Sequence, residues 1–182
     1  MGDLLSQTRR KLIASALSTP VLDPAEADLI PILCGKRQVL LRTPSQEMLL
    51  REHVREADRI AQLDGGDNYD DIMQSECTRL MGERPTFWGE LWPGAVVLGR
   101  LLLDEPTLVS ARTVLEVGAG LGLAGICAAL AGAASVVATD YEELSLHFTA
   151  RNAAENGVGG RVQTQLLDWT EPTSDDLLTS VA

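Results

Sequence analysis

Two carboxylates and a run of glycines stand at a spacing that suits a nucleoside. Glu116 precedes Gly118-Ala-Gly-Leu-Gly-Leu-Ala-Gly125, and Asp140 follows 24 positions after Glu116 and 20 after Gly120. Glycines in such a turn let the backbone bend tightly and let a ligand approach where a Cβ would stand. An acid at the end of the next strand can accept hydrogen bonds from both hydroxyls of a ribose. Gly120-Leu-Gly122-Leu-Ala-Gly125 also satisfies GxGxxG, so an NAD-dependent oxidoreductase is a remote alternative. Two features weigh against a dinucleotide. The glycines begin earlier, at Gly118, and the carboxylate of Glu116 beside them would repel a pyrophosphate. That carboxylate suits a ligand carrying an ammonium and a sulfonium, and S-adenosylmethionine is such a ligand. The plainer readings are a solvent-facing acid for Glu116 and a purely structural link for the glycine turn.

These residues need elements to hold them. Thr113–Val117 reads as a short buried strand running into the glycines, and Gly122–Leu130 as a small-residue helix that stops at Gly132. Ser135–Asp140 reads as a second strand, Glu142–Asn156 as a helix closed by Gly157, and Arg161–Leu167 as a third strand. Strand–helix–strand–helix–strand at this spacing predicts parallel strands with right-handed crossovers, an α/β Rossmann-like sheet. Upstream, Gly94–Leu103 reads as an apolar helix entered through Trp92-Pro93, proline suiting the first turn. The chain changes character near Pro85. Residues 1–84 show no single dominant period and predict a mainly helical, mixed region, set apart from 85–182. One amphipathic helix is legible there from Leu49, Leu50, His53, Val54, Ala57, Ile60 and Ala61, between Pro44-Ser45 and Asp64-Gly65-Gly66. Asp64–Asp71 reads as an acidic, solvated linker. It lacks the terminal Glu and the ligand period of a calcium loop, so no metal is expected.

Composition narrows the classes. The 182-residue chain is 45% apolar and 23% charged, a globular composition, with no apolar run long enough to span a membrane. A net charge of -11 repels phosphate backbones, and the one basic run, Arg9-Arg10-Lys11, is short, so nucleic acid is not expected as a partner. Cys34, Cys77 and Cys127 are scattered and odd in number, which suits reduced thiols in the cytoplasm or nucleus. A mitochondrial presequence is the weaker reading of the basic N-terminus, because Asp3 is out of place in one. Neither His53 nor His147 has a visible partner for base catalysis, and Asn152 reads as a surface or capping residue. No catalytic residue can be named.

Several pieces taken in order carry a resemblance. Glu90-Leu-Trp-Pro-Gly-Ala-Val-Val-Leu98, Val114–Gly125, Val136-Val-Ala-Thr-Asp-Tyr141, Arg151-Asn152 and Leu167-Asp-Trp169 together resemble methyltransferase family 16, a class I group rich in protein-lysine methyltransferases and long called nicotinamide-methyltransferase-like. The resemblance implies S-adenosylmethionine as cofactor and N-methylation, with a lysine of a protein as the expected substrate. It also implies that Trp92 lines the cofactor site. Gly118, Ala119 and Gly120 would pass under the methionine part, Asp140 would hold the ribose, and Trp169 would border the adenine. The family's sheet has further strands after the Asp-Trp pair, which Thr170–Ala182 does not supply. A truncated product is therefore expected, catalytically incomplete, with Thr113–Val117 left as an unpaired sheet edge that a partner could cover. The alternative is a non-catalytic cofactor-binding or protein-interaction module built on that fold.

Overall fold

The computed structural model describes residues 23–63, 68–83 and 86–169. The basic N-terminal segment, the start of the acidic loop and the stretch from Thr170 onward lie outside the described residues. Among the described residues, no helix is long and apolar enough to cross a membrane. The chain forms two compact units, and their division differs from the single break expected at Pro85. Of the described residues, those in 44–86 share one unit with 23–26, whereas 27–43 join 87–169 in the other.

The first unit is a helical pair. Helix α1 (Gln46–Leu63) is the amphipathic helix expected from the apolar spacing. Helix α2 (Tyr69–Glu83) was not expected; Asp70 and Asp71, read as part of a linker, form its first turn, where acids favour the positive end of a helix dipole. Val54, Ala57 and Ala61 of α1 pack on Met73, Cys77 and Leu80 of α2. Asp58 is buried in this pair, accepting hydrogen bonds from the Tyr69 hydroxyl and from Gln62 Nε2. The bond to Asp58 is the leading cause that pushes the Tyr69 phenol up to about 12.

The second unit opens with an antiparallel hairpin, β1 (Asp28–Cys34) and β2 (Arg37–Thr43), joined by Gly35-Lys36. The hairpin was not expected, although helix still predominates among the described residues before Pro85, as the sequence predicts. Pro31 interrupts the alternation of β1 and hid the strand from a reading of periodicity. Its position is physically informative. Pro31 faces Leu40, and the backbone N–H and C=O of Leu40 bond to Asn156, on the side away from β1. The donor that proline lacks therefore falls on the outer edge of β1, where no ladder bond is lost and edge pairing is blunted.

The rest of the unit follows the expected order: α3 (Pro93–Asp104), β3 (Thr113–Val117), α4 (Leu123–Leu130), β4 (Ser135–Asp140), α5 (Glu143–Glu155) and β5 (Val162–Leu166). The strands pair in parallel in the order β3-β4-β5. Central β4 is buried almost throughout because it has a neighbour on each side and helices against it. Val136 and Ala138 of β4, Ile126, Cys127 and Ala128 of α4, Phe148 of α5, and Val39 and Leu41 of β2 are fully buried. Among the described residues β3 pairs on one side only, and its Leu115 and Val117 are 39% and 51% exposed. All three cysteines are buried free thiols, with Cys34 and Cys127 hydrogen-bonded to each other.

Candidate active site

The parallel strands deliver their C-terminal ends to one side, and a cavity of about 760 Å³ opens there. Trp92, Glu116, Gly118, Ala119, Gly120, Asp140 and Trp169, every residue expected to bind a cofactor, line this one cavity. Its size falls within the roughly 300–1,000 Å³ typical of small-molecule sites.

The floor is the turn between β3 and α4. Gly118, Gly120 and Gly122 all have positive φ (69°, 56° and 80°), so the chain reverses direction over five residues at little steric cost. The peptide of Gly120 is held from both sides. Its N–H donates to Asp140 Oδ2 at 2.9 Å, and its carbonyl accepts from Ser145 Oγ at 2.9 Å and Thr149 Oγ1 at 3.0 Å. The other oxygen of Asp140 accepts from the Glu142 N–H at 3.1 Å. Asp140, nearly buried, thus fixes the glycine turn to the end of β4 while remaining on the cavity wall. A Cβ built on Gly118 would meet nothing within 4 Å, so this part of the floor is open to a ligand.

Glu116 sits under the start of α4. Its Oε2 accepts from the Gly125 N–H at 3.0 Å, and a Cβ on Gly125 would collide with that carboxylate. Burial pushes Glu116 up to about 7, with the nearby Asp140 charge adding to the effect and the Gly125 N–H opposing it. The geometry also disposes of the literal dinucleotide motif. Its third glycine gives its amide to Glu116, so a pyrophosphate at this helix start would meet a carboxylate rather than free N–H groups.

The linked prediction has a definite sign. The folded-state value lies above the ordinary 4.5, so the folded chain binds the proton more tightly than the unfolded one. The resulting stabilisation is complete below about pH 4.5 and is lost as pH rises through about 7. Urea melts of wild type and Glu116→Gln should therefore diverge in pH slope across that window, the variant being flatter. Identical slopes would rule the shift out.

Aromatic side chains form the rim. Trp92, the residue just before α3, donates from Nε1 to the Phe87 carbonyl at 3.0 Å and meets the Phe87 ring edge-on at 5.8 Å. Trp92 and Trp169 are 52% and 68% exposed, leaving much of each indole free to cover a ligand. Trp88 packs on Phe148 at 5.4 Å, and its carbonyl lies 3.1 Å from where a Gly120 Cβ would be.

One expectation is corrected. Asn152 is neither on the surface nor a cap: it is fully buried, donating to the Leu121 carbonyl at 3.0 Å. It completes a stripe with Ser145 and Thr149 along the face of α5 that meets the glycine turn. Sequence reasoning passed over these residues because it searched for apolar periods. Small polar residues at positions 145, 149 and 152 of one helix, continued by Asn156 at its C-cap, were the available signal. His147 is exposed and does not line the cavity.

A sequence model described as lysine methyltransferase matches residues 82–181, more than half of the chain. The chain belongs to the lysine methyltransferase family. S-adenosylmethionine is the cofactor of these enzymes. Among individual relatives, the protein N-terminal and lysine N-methyltransferase EFM7 of Cryptococcus neoformans is 41% identical over 76 residues, 42% of this chain and 25% of that protein. The electron transfer flavoprotein beta subunit lysine methyltransferase of Rattus norvegicus is 35% identical over 72 residues, 40% of this chain and 28% of that one. This member of the family thus spans about a quarter of the length of these curated relatives. Of solved structures, the Trypanosoma brucei PRMT1 enzyme–prozyme complex aligns at 22% identity and a TM-score of 0.40, over 44% of this chain and 25% of that chain. That likeness is too loose to say anything of function.

Proposed function

We propose that this chain holds S-adenosylmethionine in the cavity and belongs to an enzyme that methylates lysine side chains of a protein. The observation that carries this reading is the convergence of two carboxylates, a glycine turn and two exposed tryptophans on one cavity of fitting size. Asp140 would take the ribose hydroxyls, with lone pairs to spare beyond its two amide partners. Glu116 would face the ammonium, and Gly118–Gly120 would lie beneath the methionine chain. Trp92 and Trp169 would flank the rings, a stacked pair adding about 0.5–1.5 kcal/mol beyond area. The bound cofactor supplies an electrophilic methyl group on a sulfonium. The chain's own residues would contribute orientation and exclusion of water. Lysine as substrate rests on the likeness to the two lysine methyltransferases named above.

The test is calorimetric titration of the purified chain with S-adenosylmethionine and, in parallel, with NAD. Saturable binding of the first and none of the second is expected. A folded chain that binds neither would end the proposal. One observation favours a second reading. Among the described residues β3 pairs on one side only, and a partner seated on that edge would make the chain a non-catalytic cofactor-binding or protein-interaction module. Methyl transfer to a lysine-containing protein by this chain alone would remove that reading.

A further inference from the structure

Asn152 does more than satisfy the turn. Its amide makes three hydrogen bonds in a fully buried position: to the Leu121 carbonyl at 3.0 Å, to the Arg42 carbonyl at 3.3 Å, and from the Arg42 N–H to Oδ1 at 2.6 Å. One turn further along, at the C-cap of α5, Asn156 repeats the pattern on Leu40, accepting its N–H at 2.9 Å and donating to its carbonyl at 2.6 Å. The spacings explain why this works. Residues four apart on a helix rise about 6 Å, and residues two apart on a strand about 6.6 Å. The two side-chain amides therefore stand in for a neighbouring strand along the outer edge of β2.

The two asparagines differ in one respect. Among the described residues Asn156 bonds to β2 and to the last turn of α5, whereas Asn152 also holds the Leu121 carbonyl in the turn. A turn built on three positive-φ glycines has wide conformational freedom and takes its shape from the groups around it. Arg42, at the far end of the link, is itself held by Glu155 through Nε at 2.9 Å and by the Ala27 carbonyl through Nη1 at 3.1 Å. We infer that Asn152 is a positioning residue for cofactor binding, which couples the glycine turn to the β1–β2 hairpin through a single buried amide. This rests on the cofactor cavity proposed above. Asn152 does not line that cavity, so its effect on affinity must pass through the turn.

The experiment compares Asn152→Ala, Asn152→Asp and Asn156→Ala in the full chain. Asn152→Asp keeps the shape and the acceptor for Arg42 N–H but sets a carboxylate against two carbonyls. Titration with S-adenosylhomocysteine should show roughly 5- to 100-fold weaker binding for both Asn152 variants, the range expected when a buried backbone acceptor loses its donor. Asn156→Ala should lower the melting temperature yet hold its affinity within about twofold of wild type, the scatter expected for a site that makes no contact with the turn. Equal affinity losses in Asn152 and Asn156 variants, or none in either, would overturn the inference and leave both residues as hairpin anchors. Hydrogen exchange in wild type covers the case in which the variants do not fold. Adding S-adenosylhomocysteine should slow the Arg42 amide, by reciprocal linkage; unchanged exchange there counts against coupling. Should wild type bind no cofactor, the proposed function fails separately. The coupling is then read from the Ala119, Gly120 and Gly122 amides, which must exchange faster in Asn152→Asp than in Asn156→Ala.

Discussion

Gly122→Ala should lower the melting temperature by about 4–20 °C. Gly122 has φ 80°, and a Cβ there would lie 2.7 Å from Thr149 Cγ2 and 2.9 Å from Thr149 Oγ1. A left-handed backbone costs an L-residue about 1–2 kcal/mol, and an unaccommodated methyl in a packed interior about 1–3 kcal/mol. Thr149 cannot swing aside freely, because it is fully buried and its hydroxyl is bonded to the Gly120 carbonyl. A combined cost of about 2–5 kcal/mol converts at roughly 2–4 °C per kcal/mol for a chain of this size. Gly82→Ala is the matched control. Its Cβ would meet nothing within 4 Å on α2, so a small stabilisation is expected there from helix propensity. The Gly122→Ala, Thr149→Ala double variant should be milder than the sum of the two, since removing the threonine makes room for the methyl. Strict additivity, or a Gly122→Ala melt within a degree or two of wild type, would show that the turn is looser than its hydrogen bonds indicate.

What the sequence disclosed and what it hid divide along a physical line. The sheet unit was legible because a parallel β-α repeat writes itself in apolar runs closed by glycines. Val136 to Ala138 and Ile126 to Ala129 are apolar for no reason other than burial on every side. The cavity residues were legible because the glycine turn and Asp140 sit at strand ends that the topology must bring together. The hairpin was not, because Pro31 breaks its alternation, and the reason proline is tolerated there is an edge that only tertiary structure creates. Helix α2 was hidden for a related cause. Its opening acids resemble a linker until one sees Tyr69 donating to Asp58 across the helical pair. Asn152 was misjudged outright. Nothing local distinguishes an asparagine facing water from one facing Leu121 and Arg42, and its neighbours at 145 and 149 carry meaning only once α5 is laid against the turn.

The same division decides how Asp140 should be tested. Asp140→Ala is expected to weaken S-adenosylmethionine binding by roughly 10- to 150-fold, the equivalent of one charge-assisted hydrogen bond. The complication is that Asp140 also holds the Gly120 and Glu142 amides, so the substitution loosens the floor along with any lost ribose contact. Binding loss alone therefore cannot separate a ligand contact from a scaffold role. A second ligand can. An analogue of the cofactor lacking both ribose hydroxyls should bind wild type weakly, and Asp140→Ala should cost it little more, because the contact in question is already gone. If the variant instead penalises analogue and cofactor equally, Asp140 acts through the turn and the ribose is held elsewhere. That outcome would move the recognition role onto the remaining cavity wall. It would also make Asp140 a partner of Asn152, both fixing the middle of the same glycine turn, at the Gly120 N–H and at the Leu121 carbonyl.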